Sequence, residues 1–168
     1  KKLLLILLCF PFIGFGQIFT HKIDSMIYYS SDSTLNQIQE IKIVYGYANN
    51  NKTLEVGSSW DGTSWENQYE FEFAYDANNN QNYIKYSLWN GTSWEANYKI
   101  ESTYDANNNP TLEVRSLWDG TSWQASNKTE WTYDANNNPI LQVRTNWDGA
   151  SWQGVQKFEF TYDSNNNL

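Results

Sequence analysis

The sequence has little of several residue types on which enzymes and small secreted scaffolds depend. It contains one cysteine, Cys9, one histidine, His21, and three prolines among 168 residues. Cys9 lies in an N-terminal segment that we expect to be removed, so the remaining chain has no thiol and no disulfide. The sequence offers no combination of serine, histidine and acid for nucleophilic catalysis. It therefore argues against an enzyme, and packing alone must stabilise the fold.

Positive charge is also scarce. Without the first two lysines, 9 Lys and Arg stand against 19 Asp and Glu, which gives a net charge of minus 10. Proteins that bind phosphate backbones concentrate positive charge, so the sequence argues against nucleic acid and anionic lipid as partners. The acidic balance is typical of a soluble extracellular protein, and we expect no cofactor.

The N-terminus has the order of features found in secretory signals. Two lysines precede an apolar run, residues 3–15, which contains and is followed by glycine. We expect residues 1–16 to form a signal peptide that is cleaved before Gln17. The run is shorter than the about 20 residues that span a bilayer, so a signal anchor is the less favoured alternative. We expect no membrane span after cleavage.

A unit of 29 residues recurs along the rest of the chain. The sequence Tyr-Asp-Ala-Asn-Asn-Asn begins at Tyr75, Tyr104 and Tyr133, and it returns at Tyr162 with Ser164 in place of alanine. A second marker, a tip sequence such as Trp-Asp-Gly-Thr-Ser-Trp, keeps the same spacing. Its paired tryptophans are Trp60 and Trp65, Trp89 and Trp94, Trp118 and Trp123, and Trp147 and Trp152. Such a period is typical of stacked supersecondary units.

The repeats divide the chain into three parts. After the signal peptide, residues 17–51 form a degenerate N-terminal cap, and residues 52–168 form four tandem repeats, of which the last is truncated. We expect further repeats or a C-terminal domain of the same longer chain to follow.

Each repeat has the alternation of a β-hairpin. Between residues 65 and 76, aromatic residues alternate with polar ones, which predicts a strand with one aromatic and one solvated face. The predicted aromatic row is Trp65, Tyr69, Phe71, Phe73 and Tyr75, and the predicted solvated row is Glu66, Gln68, Glu70 and Glu72. Residues 110–118 alternate in the same way, and continuous helical periodicity is absent.

The connections follow from the parity of the side chains. Pairing Trp60 with Trp65 places Val56 opposite Tyr69 and Leu54 opposite Phe71, and leaves a four-residue loop. A two-residue Asp-Gly turn has the same parity and remains an alternative.

The other connection needs an odd length if Tyr104 and Leu112 are to share a face. A three-residue loop, residues 107–109, satisfies this requirement, with asparagine accepting the positive φ. Pro110 and Pro139 then begin strands, where a missing amide proton matters least.

These patterns predict an all-β fold, an antiparallel β-meander of about ten strands built from 29-residue hairpins. Because one apolar face needs cover, we expect a curled sheet or an open, barrel-like array that bends over its aromatic face. The asparagine-rich loops should lie along one edge.

The tyrosine-containing marker resembles the YD-type repeat, Tyr-Asp-x-x-Gly-Asn-Leu, of secreted bacterial Rhs-like proteins. The signal ending in Gly-Gln and the tryptophan hairpins are similar to repeat regions of exported Bacteroidota proteins. The resemblance covers residues 41–168 and implies cargo of type IX secretion with a C-terminal sorting domain. The sequence departs from the YD pattern in having asparagine at the glycine place, at residues 79, 108, 137 and 166, and in its longer unit.

The asparagine-rich marker also suggests a metal site. Asp-x-Asn-x-Asn places oxygen ligands on alternate residues, as calcium loops do. The candidates are Asp76, Asn78, Asn80, Asp105, Asn107 and Asn109. No glycine follows the third ligand and no glutamate occupies the twelfth position, so the favoured interpretation is a turn capped by the aspartate.

The tryptophan pairs have two interpretations. Exposed Trp, Tyr and Asn together form stacking platforms for sugar rings, and tandem weak sites gain avidity. Alternatively, the indoles are core, because cross-strand aromatic pairs stabilise sheets. The sequence favours core.

Two functions remain. The first is a non-enzymatic secreted or cell-surface repeat module that acts as a structural spacer or adhesin, with an extracellular glycan or a surface protein as its partner. The second is a carbohydrate-binding array that uses the tryptophan pairs. A toxin-delivery scaffold is a more distant third.

Overall fold

The structure is a computed structural model that describes residues 23–32, 37–163, 165 and 167. The expected signal peptide, Cys9 and His21 lie outside these residues. The described chain forms one ten-stranded antiparallel sheet in which the strands follow one another in sequence order. The strands are β1 (Ser25–Asp32), β2 (Gln37–Ala48), β3 (Asn51–Trp60), β4 (Trp65–Tyr75), β5 (Gln81–Trp89), β6 (Trp94–Tyr104), β7 (Pro110–Trp118), β8 (Trp123–Tyr133), β9 (Pro139–Trp147) and β10 (Trp152–Glu159). The predicted all-β meander of hairpin repeats is confirmed.

The sheet is open. Strands β1 and β10 are its two edges, and the substantial contacts join only strands that are adjacent in the sheet. Among the described residues, Ile43 is the one large apolar side chain that is buried. The sheet is therefore not closed into a barrel, and both faces keep side chains that are half-buried by their own neighbours.

A β-bulge in each hairpin corrects the predicted register. Trp60 pairs with Trp65 as expected, but the register shifts by one residue, so that Gly57 pairs with Tyr69 and Val56 with Glu70. Gln68 is the extra residue. Equivalent bulges contain Asn97, Ser126 and Val155. A one-residue shift moves every following side chain to the other face.

The predicted single aromatic face is therefore wrong. Because paired residues share a face, Trp60 and Trp65 lie on one face and Tyr69 lies on the other. We call the first the indole face. The second is the tyrosine face, which carries Tyr69, Phe71, Phe73 and Tyr75. The residues predicted to be a uniform solvated row are also divided, since Glu66 shares the tyrosine face whereas Glu70 and Glu72 share the indole face.

A second bulge lies at the start of each odd-numbered strand after β1. Tyr104 pairs with Pro110 and Thr103 pairs with Leu112, which leaves Thr111 as the extra residue. Tyr104 and Leu112 therefore lie on opposite faces, contrary to the prediction. Pro110 and Pro139 do begin β7 and β9.

The four-residue tip loops are confirmed at residues 61–64, 90–93, 119–122 and 148–151. Gly62 and its equivalents adopt positive φ, which glycine tolerates at no steric cost. The other connections, residues 76–80, 105–109 and 134–138, are five-residue asparagine loops rather than the predicted three. Their length is still odd, and Asn79, Asn108 and Asn137 adopt the predicted positive φ.

The N-terminal part of the sheet departs from the repeat. Strands β2 and β3 are joined by two residues, Asn49 and Asn50, which both have positive φ. Two successive positive φ angles are the requirement of the commonest two-residue hairpin turn. The degenerate segment thus continues the same sheet with a shorter turn.

Candidate functional site

Four tryptophan pairs form a row along the tip-loop end of the indole face. Within each pair the ring centroids lie 5.0–5.4 Å apart and the ring planes are inclined by 58–66°. This is the edge-to-face arrangement that aromatic quadrupoles favour. Trp60 is 38% exposed and the other seven are half-buried. The rings are thus neither core nor free, because they pack on each other and still reach solvent.

A row of small hydroxyl residues lies beside the tryptophans on the indole face and was missed in the sequence. Its members are buried: Ser58, Ser87, Ser116 and Thr145. Lys99 Nζ lies 5.5 Å from the ring centroid of Trp123, although β7 runs between their strands. Lys99 and the indole of Trp123 therefore meet over β7, next to the buried Ser116. The signal in the sequence is a hydroxyl residue two positions before the first tryptophan of each pair.

The same arrangement recurs in other hairpins. Lys42 Nζ lies 6.0 Å from the ring of Trp65, and Lys128 Nζ lies 5.2 Å from the ring of Trp152. The second indole of each of these pairs thus has a structural role. In the remaining hairpin, Glu70 occupies the lysine place, and burial raises its pKa, with the charge of Glu72 adding to the effect.

The tips of successive hairpins are not paired with each other. Between β6 and β7 the ladder begins at Tyr98 and Leu117, so residues 94–97 have no described ladder partner toward β7. Trp94 and Trp118 line the resulting recess, together with Glu95, Ala96 and Gly120. Ladders between the other hairpins begin at the equivalent pairs, Tyr69 with Leu88 and Asn127 with Asn146. The same gap in the ladder, beside the tip loops, therefore recurs between successive hairpins.

The tip loops are ordered by their first residue. Asp61 Oδ1 accepts hydrogen bonds from the amides of Thr63 and Ser64 at 2.6 and 2.8 Å. These bonds lower the pKa of Asp61 to about 2, and the bond from Ser64 has the largest effect. Asn90 accepts the equivalent bonds at 2.9 Å each, so the geometry does not need a charge. No lysine, arginine or histidine occurs in the four tip segments.

The calcium candidates occupy the opposite end of the strands. Asp105 Oδ1 accepts hydrogen bonds from the amides of Asn107 and Asn109 at 2.8 and 2.9 Å, and its Oδ2 accepts one from Asn109 Nδ2 at 3.0 Å. Asp76 is bound in the same way by Asn78 and Asn80. These hydrogen bonds lower the pKa of Asp105, and the two bonds from Asn109 have the largest effect. These are the hydrogen bonds of the capped turn that the sequence favoured.

The asparagine loops also bind one another. Asn80 Nδ2 donates to Asn108 Oδ1 at 2.8 Å, Asn109 Nδ2 donates to Asn137 Oδ1 at 2.9 Å, and Asn51 donates likewise to Asn79. The candidate ligands therefore form a ladder between repeats. Within the described part of the chain, no cluster of three acidic, histidine or cysteine residues could hold a metal ion.

The marker tyrosine ties together the two strands of its own hairpin, because it reaches from the end of the second strand to the start of the first. Tyr75, Tyr104 and Tyr133 donate their hydroxyl protons to the carbonyl oxygens of Lys52, Gln81 and Pro110, at 3.0, 2.7 and 2.9 Å. Burial raises the pKa of Tyr104, with Asp76 and Glu113 adding to the effect.

The tryptophan pairs and the marker tyrosines thus lie at opposite ends of the strands and on opposite faces of the sheet. The tryptophans pack on each other, whereas the tyrosines bind backbone carbonyls. Across the described residues, no helix is long and apolar enough to cross a membrane.

Comparisons with known proteins support the fold alone. No family model matches the sequence. A search of curated proteins gives no significant match. A crystal structure of a protein of unknown function from Bacteroides fragilis is similar with a TM-score of 0.59 and 14% identity, over 71% of this chain and 91% of that one. A DUF3836 family protein from Bacteroides vulgatus is similar with a TM-score of 0.39 and 20% identity, over 62% of this chain and 96% of that one.

Proposed function

We propose that this chain is a non-enzymatic repeat module that acts as a spacer or adhesin on the outside of a bacterial cell. One observation carries the proposal. Each strand makes its substantial contacts only with the strands beside it, so the array can change length without a change in its local structure. A secreted or outer-surface location and export by type IX secretion follow from the signal and the YD-type resemblance. A surface protein or an extracellular glycan is the proposed partner.

The test of the spacer is a change in its length. Removing residues 110–138 joins Asn109 to Pro139, the residue that already follows Asn138, and so preserves the junction. The shortened protein should remain folded by circular dichroism, and its length by small-angle X-ray scattering should fall by roughly 10 Å, two strand spacings. Loss of the folded state would show that the array is one cooperative core, contrary to the proposal.

Export is tested separately. The full sequence, expressed in a Bacteroidota cell, should reach the surface or the medium and become sensitive to added protease in intact cells. Retention of the protein inside those cells would contradict the proposed location.

The second candidate function is carbohydrate binding, and the tryptophan row favours it. The indoles are partly exposed on a face that no other element of the described chain covers, beside backbone groups without ladder partners. Rings of this kind stack on sugars, and polar backbone groups bind hydroxyls. A glycan-array screen of the intact protein tests this function, and binding that is not weakened by Trp118→Ala would contradict it.

A further inference from the structure

The spacing of the tryptophan row and the charge around it indicate which class of glycan fits it. We propose that the tryptophan row binds a single neutral, extended β-1,4-linked polysaccharide chain, with one disaccharide for each repeat. The proposal rests on the carbohydrate-binding function and specifies its ligand.

The period of the tryptophan row matches that of an extended sugar chain. The four tryptophan pairs lie at the tips of four successive hairpins, so each step along the row crosses two strands. Two strand spacings amount to roughly 10 Å. The disaccharide unit of an extended β-1,4-linked chain has about the same length. A chain that crosses the strands would therefore present the same sugar face to each pair of indoles.

The charged groups of the tip loops are acidic. Asp61, Asp119 and Asp148 lie in the tip loops, and hydrogen bonds from the loop amides lower the pKa of each carboxyl. Glu95 lies in the recess itself. Three lysines beside the row each lie over an indole: Lys42 over Trp65, Lys99 over Trp123 and Lys128 over Trp152. The row therefore repels anionic polysaccharides and accepts neutral ones.

The twist of the sheet limits which form of polysaccharide can contact the whole row. Neighbouring strands in sheets rotate by about 20–25°, so each repeat turns the row by roughly 40–50°. A flat crystalline surface would contact one or two pairs, whereas a single flexible chain can follow the row. The ligand is therefore a free chain rather than a crystalline face.

The test measures affinity against chain length. Cello- and chito-oligosaccharides of two, four, six and eight sugars are titrated into the intact protein by isothermal calorimetry. Affinity should rise with each added disaccharide, by about 100-fold or more in total, because linked weak sites gain from effective concentration. The variant lacking residues 110–138 should bind as tightly as the intact protein up to six sugars and gain nothing from eight.

Matched variants place the ligand on the indole face. Trp118→Ala should weaken octasaccharide binding by at least tenfold, whereas Leu117→Ala, on the tyrosine face of the same strand, should not. Circular dichroism checks that both remain folded, and the deletion variant supplies the test if Trp118→Ala does not fold.

The outcomes separate this inference from the function on which it rests. Equal affinity for short and long oligosaccharides, or equal binding of α-linked or anionic glycans, would overturn the inference and leave carbohydrate binding standing. Failure of every glycan to bind would overturn both.

Discussion

The tyrosine hydroxyls offer a direct test of what holds the two strands of each repeat together. Changing Tyr75, Tyr104 and Tyr133 together to phenylalanine removes three hydrogen bonds of 2.7–3.0 Å and keeps the rings. Each such bond contributes about 0.5–1.5 kcal/mol to the free energy of unfolding. The sites are two strands, roughly 10 Å, apart, so their effects should add to about 3 kcal/mol. At about 2–4 °C for each kcal/mol, Tm should fall by about 6–12 °C.

Thermal and urea unfolding followed by circular dichroism measure the effect. Tyr86→Phe is the control, because the ring of Tyr86 packs against those of Phe71 and Tyr98, at 4.8 and 5.1 Å, while its hydroxyl binds no described residue. That variant should change Tm by less than about 2 °C, the effect of a surface substitution within about 0.5 kcal/mol. If the triple variant matched this control, the tyrosine hydroxyls would not hold the two strands of each hairpin together.

Three further predictions concern the loops, the bulge and the hydroxyl row. Because hydrogen bonds depress the pKa of the tip-loop aspartates, their stabilisation is complete above the unfolded pKa of about 3.9 and is lost as pH falls through the folded values. Tm should therefore fall below about pH 4, and converting those aspartates to asparagine, as in Asn90, should reduce the fall; an unchanged pH profile would refute this. Gly57→Ala should cost about 1–3 kcal/mol in urea unfolding, because its Cβ would lie 2.1 Å from the ring of Tyr69, whereas Ser59→Ala should cost little. Ser87→Ala should leave stability unchanged or raise it, since the buried hydroxyl has no hydrogen-bond partner in the described chain; a loss above about 1 kcal/mol would indicate a partner.

The sequence was sufficient for the elements and their order because both loops carry strong local signals. Asparagine at residues 79, 108 and 137 marks positive φ, and the spacing between Trp60 and Trp65 defines a four-residue tip. These features depend on residues that are neighbours along the chain. The prediction of a covered aromatic face failed because it depended on which residues share a face across ten or more positions.

The recess between the hairpins could not be predicted for a related reason. It exists because the ladder between β6 and β7 stops at Tyr98 and Leu117, before it reaches the tips. No residue type in the sequence marks that point. The hydroxyl row was detectable in principle, since Ser58, Ser87, Ser116 and Thr145 recur at the repeat spacing. Their meaning becomes clear only when Lys99 and Trp123 are seen to meet over the strand between.

The bulges explain why a parity argument could succeed on the period and fail on the faces. Going from Trp65 to Tyr75, the bulge at Gln68 turns the chain from the indole face to the tyrosine face. Going from Gln81 to Trp89, the second bulge turns it back. Two reversals in each repeat cancel, so a 29-residue period is equally consistent with no bulges and with two. The extra residues of the hairpin bulges, glutamine, asparagine, serine and valine, share no property that would reveal them. The paired reversals place the indoles opposite the tyrosines in every repeat, so the tryptophan row and the marker tyrosines lie on different faces of the sheet.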